Sequence, residues 1–183
     1  MKIVFTGTQG VGKTTLLDIL EKCFSYNEPI RFVRNFTRDM VKRGLSINED
    51  GTDETQLAIM QAHKDIVTSS DNIIMDRCML DGIVYTTYLY RHGKVSDEVY
   101  KKCLDTFTRH VLDYDRIYYM VPEFPLTGDE FRSDKVQYQK DIADIFEDII
   151  EGYALPVIKL TGTVGDRLAV VLKYLRQRGI IQC

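Results

Sequence analysis

Short apolar runs alternate along the chain with longer stretches whose apolar residues recur every three or four positions. The runs read as buried strands at about residues 2–6, 30–33, 72–76, 117–121 and 156–160. Between them, helical spacing predicts helices over about 13–25, 35–43, 54–69, 79–91, 97–112, 135–152 and 164–178. Asp53 with Gln56 suggests a capping box for the third helix, with Leu57, Met60 and Val67 on its core side. Gly44 and Gly93 suit helix ends, and Ser96 is a helix N-cap candidate. Strands that are apolar throughout, each followed by a helix, imply a parallel sheet covered on both faces. The expectation is a single α/β domain over residues 1–183, with a five-stranded parallel sheet between two helical layers. Ligands of such sheets gather at the carboxyl ends of the strands.

Between the first strand and the first helix stands Gly7-Thr8-Gln9-Gly10-Val11-Gly12-Lys13-Thr14, followed by Thr15. This matches the phosphate-binding pattern G-x-x-x-x-G-K-[ST] in its required strand–loop–helix setting, which defines a P-loop. Backbone N–H groups from Thr8 to Thr15 then cradle phosphate, with glycines permitting close approach. Lys13 is placed to reach the β- and γ-phosphates, and Thr14 to ligate Mg²⁺. The three-layer fold is therefore expected to be a P-loop NTPase fold with ATP and Mg²⁺ as cofactors.

Asp76 ends its apolar strand and so emerges at the same edge as the P-loop. It is a candidate metal ligand, a candidate base for an attacking hydroxyl, or an N-cap of the following helix. Arg77 is a candidate for stabilising charge on a transferring phosphoryl group. Residues 122–135, with Pro122, Pro125 and Gly128, suit a lid that excludes water, with Arg132 as its cation and Asp129 as a substrate contact or a partner of Arg132. The small-residue loop 160–165 places Thr163 and Val164 either beside an adenine ring or in a plain turn. Arg38 lies where an acceptor can bind. Asp81 and Tyr85, one helical turn apart, either face the acceptor or form a polar helix side.

Composition narrows the classes. Net charge is −3, so no global positive field suits a nucleic-acid backbone, although Lys101, Lys102 and Arg109 form a local basic strip. The four cysteines form no C-x-x-C pair, and His63, His92 and His110 lack metal-ligand spacing and are expected at surface or interface positions. No apolar run reaches the length of a membrane span, and the first strand starts at residue 2, which predicts no leader peptide and a cytoplasmic protein.

Four segments carry a resemblance to a known family: Gly7 to Thr15, Phe36-Thr37-Arg38, Ile74 to Asp81 and Pro122 to Arg132. Together they resemble the P-loop kinases that include the ribosylnicotinamide kinase domain of bifunctional NAD-biosynthesis proteins and many phage-encoded relatives. The resemblance implies ATP-dependent transfer to a nucleoside or nucleotide-like acceptor, with roles for Lys13, Thr14, Asp76, Arg77 and Arg132. Asn35 stands where those relatives usually carry glutamate, and the Gly-Asp of the lid lies further from Arg132; both departures fall on the acceptor side. Thymidylate-kinase-like families share the Asp-Arg pair, which keeps a nucleoside monophosphate acceptor open. Two alternatives remain at this level: a kinase acting on a polynucleotide, which the charge disfavours, and an ATP-binding switch with weak turnover.

Overall fold

The computed structural model describes residues 1–24, 30–34, 36–42, 44–69, 71–123 and 136–181, with the side chains of residues 36–38 outside that description. Five strands form one parallel sheet: β1 (Lys2–Thr6), β2 (Ile30–Val33), β3 (Asn72–Asp76), β4 (Arg116–Met120) and β5 (Val157–Leu160), in the spatial order β2-β3-β1-β4-β5. The helices are α1 (Lys13–Glu21), α2 (Phe36–Lys42), α3 (Asp53–Thr68), α4 (Met79–Arg91), α5 (Asp97–His110), α6 (Val136–Gly152) and α7 (Val164–Gln177).

The period-two alternation of the strands sorts their side chains between two cores. Ile3, Phe5, Ile74, Tyr118, Met120 and Leu160 pack with Leu16, Leu17 and Leu20 of α1 and Val171 and Leu175 of α7. Val4, Ile73, Met75, Ile117 and Tyr119 face the other way, against α3, α4, α5 and α6. Both faces are thus buried, and a fully buried Leu, Ile or Phe side chain contributes roughly 1.5–3 kcal/mol by leaving water. This is the expected three-layer arrangement.

Two local expectations are corrected. Thr52, not Asp53, caps α3, its Oγ1 accepting from Thr55 N, and Gln56 turns inward to meet Thr86 Oγ1. Leu57 is exposed, while Met60 and Val67 are buried as expected. The helical period runs one step away from Leu57 because Gln56 and His63 occupy core-facing places. The lid segment falls outside the described residues beyond Glu123, and so do Asn35, Asp129 and Arg132.

Register places the chemistry. Phe5 of β1 pairs with Asp76 of β3, so the strand-end carboxylate stands beside the entrance of the glycine loop. Arg77 N donates to Phe5 O at 2.9 Å, which extends that pairing by one residue.

Candidate active site

The glycine loop is held from outside by its carbonyls. Lys13 Nζ donates to Gly7 O at 2.8 Å and Thr8 O at 2.6 Å. Gln139 Nε2 of α6 donates to Gln9 O at 2.9 Å, Arg167 Nη1 of α7 to Val11 O at 2.8 Å, and Leu16 N to Gly12 O at 3.0 Å. With these carbonyls engaged, the loop is left to present N–H groups, the arrangement an anion needs. Gly7, Gly10 and Gly12 all have positive φ. A Cβ on Gly7 would lie 2.7 Å from Met120 O, so only glycine passes there. Gly12 caps α1 with no side-chain hydrogen bond, and the first turn carries no acidic residue, so no side chain competes with phosphate for that helix start.

At the edge of the loop, Thr14 Oγ1 lies 3.3 Å from Asp76 Oδ2. Asp76 Oδ1 is buried without a hydrogen-bond partner among the described residues. A half-buried carboxylate with one oxygen lacking a donor, next to a threonine hydroxyl, fits a hard divalent cation that takes most of its ligands from water and phosphate. Among the described residues no group of three or more Asp, Glu, His or Cys could hold a metal.

Arg77 occupies the left-handed region, φ 70°, a strained conformation for a non-glycine residue. That turn separates the strand from α4 and sends the guanidinium towards the helix. Its Nη1 meets Asp81 Oδ1 at 3.1 Å, and its plane lies 5.2 Å over the Tyr85 ring. Burial opposes its charge, but Tyr85, Asp81 and Asp76 around it prevail and hold its pKa above the ordinary value. Tyr85 Oη in turn donates to Gln9 Oε1 at 3.0 Å, joining α4 to the P-loop. Burial pushes the Tyr85 hydroxyl pKa up, so it stays a neutral donor.

Asp81 is not a polar helix side: it is buried and fully engaged, accepting from Thr6 Oγ1, Cys78 N and Arg77. Cys78, rather than Asp76, is the N-cap residue of α4.

Beside Arg77 opens a cleft of about 410 Å³, its open mouth included. Ile47, Gln56, Ile59, His63, Gly82 and Tyr85 are among its walls. Apolar walls with a few polar groups suit a small flat ligand. His63 corrects an expectation, since it is buried in this wall rather than at the surface. Burial first and the Arg77 charge second drive its pKa down to about 3, so it is a neutral imidazole at physiological pH. Sequence reasoning missed both because Gln56 reads as a capping-box residue and His63 as a surface or interface position, and no local signal marks a cleft against them. His92 is exposed and His110 half-buried.

On the opposite side of the P-loop, Thr163 and Asp166 form the capping box of α7, Thr163 N donating to Asp166 Oδ2 at 2.9 Å. Thr163 is exposed and Val164 half-buried, on the loop that follows β5 at the P-loop edge. Thr15 points to solvent from the first turn of α1. The side chain of Arg38 lies outside the described residues. The basic strip on α5 is compensated: Lys102 pairs with Glu98 and Arg109 with Asp105.

Fold and loop together define a three-layer α/β architecture with a P-loop at the carboxyl edge of its parallel sheet. A family model described as an AAA domain matches residues 2–167, and the chain belongs to that family. Among solved structures, deoxyadenosine kinase from M. mycoides with products dCMP and dCDP is 18% identical, covers 97% of this chain and 100% of its own, and has a TM-score of 0.67. NadR protein in complex with NR is 17% identical with a TM-score of 0.71; it covers 98% of this chain, which spans 51% of NadR. Thymidylate kinase from Candida albicans is 16% identical, covers 97% of this chain and 92% of its own, and has a TM-score of 0.63. A comparison with curated protein sequences gave no match. Among the described residues no helix is long and apolar enough to cross a membrane.

Proposed function

We propose that this protein is an enzyme, an ATP- and Mg²⁺-dependent kinase that transfers the γ-phosphoryl group to a small nucleoside, ribosylnicotinamide-like or nucleoside monophosphate acceptor. The observation that carries the reading is the juxtaposition of Asp76 with Thr14 at 3.3 Å, between a P-loop on one side and the Arg77-lined cleft on the other. A nucleotide switch needs the first of these features. A kinase needs both, because its acceptor must approach the γ-phosphoryl group in line.

In this reading the N–H groups of residues 8–15 bind the phosphates and Lys13 turns from its loop carbonyls onto the β- and γ-oxygens. Thr14 and Asp76 would hold Mg²⁺, directly or through water, and the ion when bound would neutralise phosphate charge. In the alternative role Asp76 would accept the proton of an acceptor hydroxyl. Arg77, fixed by Asp81 and stacked on Tyr85, contributes positive charge where the acceptor and the phosphoryl group meet. Thr163 and Val164 would border the adenine. Asp129 and Arg132, in the segment proposed as a lid, would close over the phosphates, and Arg38 would serve the acceptor. The names of the similar structures, deoxyadenosine kinase, NadR with NR and thymidylate kinase, support a small nucleoside or nucleotide acceptor.

The test is an acceptor screen. Purified protein, ATP and Mg²⁺ are mixed with nucleosides, ribosylnicotinamide, nucleoside monophosphates and short DNA, and ADP and phosphorylated product are both followed. The expected result is product from one small acceptor and none with Lys13→Ala. Product with DNA alone would shift the reading to a polynucleotide kinase. ATP hydrolysis unaffected by every acceptor would replace it with a switch.

A further inference from the structure

Among the described residues Arg167 is the largest fully buried side chain, and it belongs to none of the motifs above. It sits in the first turns of α7, directly after the Thr163–Asp166 cap, with 1% of its side chain exposed. A guanidinium in that position must have its donors satisfied or it costs several kcal/mol. Its nitrogens reach four acceptors on three separate segments. Nε donates to Gly162 O at 3.1 Å in the loop after β5, and Nη1 to Val11 O at 2.8 Å in the P-loop. Nη2 donates to Val121 O at 3.2 Å just past β4 and to Glu123 Oε2 at 2.7 Å. The same Glu123 oxygen accepts from Gly162 N at 2.8 Å, which closes a ring of three residues. Arg167 and then the Gly162 N–H hold the Glu123 carboxyl below its ordinary pKa.

Stability alone does not account for this arrangement, since a well-packed apolar residue generally serves a core as well as a buried ion pair does. What the guanidinium supplies is direction. Val11 lies between Gly10 and Gly12, both with positive φ, so no Cβ on either neighbour restricts how its peptide units turn. A trans peptide carries its C=O and N–H on opposite sides, so anchoring the Val11 carbonyl also aims the Gly12 N–H. Gly162 is tied at both its N–H and its C=O.

We propose that Arg167 is a positioning residue for the phosphoryl donor: one guanidinium locks the P-loop backbone to the loop after β5 and, through Glu123, to the first residues past β4. This inference rests on the P-loop binding a nucleoside triphosphate. It assigns Arg167 to pre-organisation of the phosphate cradle, and the Glu123–Gly162 link to the side of the site where the base would lie. Pre-organisation raises affinity by removing the ordering cost at binding.

The test compares two probes, MgATP and inorganic tripolyphosphate, by calorimetry on the full chain. R167K keeps the charge but loses the planar fork that spans the segments. It should weaken both probes by about tenfold or more, as loss of charge-assisted hydrogen bonds does. E123Q keeps one acceptor at a partly exposed position and should stay folded. It should weaken MgATP several-fold and tripolyphosphate little. Wild-type affinities in E123Q and in folded R167K would overturn the proposal, as would an equal loss of both probes in E123Q, which is the mark of general loosening. If R167K does not fold, the ratio of the two probes in E123Q decides. A wild-type protein that binds neither probe would remove the nucleotide reading itself, and this inference with it.

Discussion

Asp81 Oδ1 stands 3.1 Å from Arg77 Nη1, while Oδ2 of the same carboxylate accepts from Thr6 Oγ1 at 2.7 Å and Cys78 N at 2.9 Å. One buried carboxylate therefore binds the end of β1, the start of α4 and the arginine that faces the cleft. Removing it leaves a mostly buried guanidinium without its paired carboxylate and two donors without an acceptor. Asp81→Ala should cost about 3–5 kcal/mol in denaturant unfolding, the range for breaking a buried pair. Asp81→Asn keeps a carbonyl acceptor and should cost clearly less. Equal stability of Asp81→Ala and the parent protein would contradict this role.

Asp76 offers a separate prediction, because its burden is chemical. Its Oδ1 has no hydrogen-bond partner among the described residues, so Asp76→Asn should leave the melting temperature nearly unchanged. Under the kinase reading, phosphoryl transfer should fall by about 10²–10⁴, as when a positioned base is removed. Rates measured across a Mg²⁺ series would show whether added cation recovers part of the loss. An unchanged rate would remove Asp76 from the chemistry.

His63 gives the fold a pH dependence of known sign. Its pKa is about 3 in the folded protein against 6.5 for the ordinary imidazole. The folded state refuses a proton that the unfolded state accepts, so no penalty exists above pH 6.5 and stability is lost as pH falls from there towards 3. The slope approaches about 1.4 kcal/mol per pH unit within that window. Between pH 6.5 and 5, before most carboxylates titrate, His63→Gln should flatten the stability curve. A curve unaltered by the substitution would show that His63 takes up its proton as readily in the folded state as in the unfolded one.

Gly7→Ala should be among the most damaging single-methyl changes in the chain. The position has φ +136°, and the added Cβ would meet the Met120 carbonyl oxygen at 2.7 Å, a backbone atom that cannot swing away. Strain at such a φ costs about 1–3 kcal/mol before the clash is counted. Unfolding of Gly7→Ala should therefore start at least about 2 kcal/mol lower, and a variant as stable as the parent would contradict the observed backbone path.

Much of the molecule follows from local pattern. The apolar runs and helical spacings place every described strand and α-helix within a few residues, because burial on both sheet faces demands continuous apolar strands. The P-loop is equally local: its glycines, Lys13 and Thr14 are contiguous, and their spacing states the chemistry. That Asp76 reaches the same edge also follows from sequence, since a polar residue ending an apolar strand must emerge at the strand's end.

Tertiary structure decided everything that depends on which distant segments meet. Asp81 and Tyr85 could line a pocket or a polar helix side on spacing alone; only packing of α4 against β1 and the P-loop buries Asp81 on Thr6 and brings Tyr85 to Gln9. His63 reads as a surface or interface position and Gln56 as a capping-box residue, and a cleft wall exists only once α3 stands opposite α4. Arg167 is the clearest case, because its partners lie between 5 and 156 residues away. Its charge pattern in the chain is that of any surface arginine. A pattern of hydrophobic periodicity records which way each side chain faces, but not which backbone carbonyls converge on it. For that reason the phosphate loop was legible in the sequence, while the residues that hold it in shape became visible only in the fold.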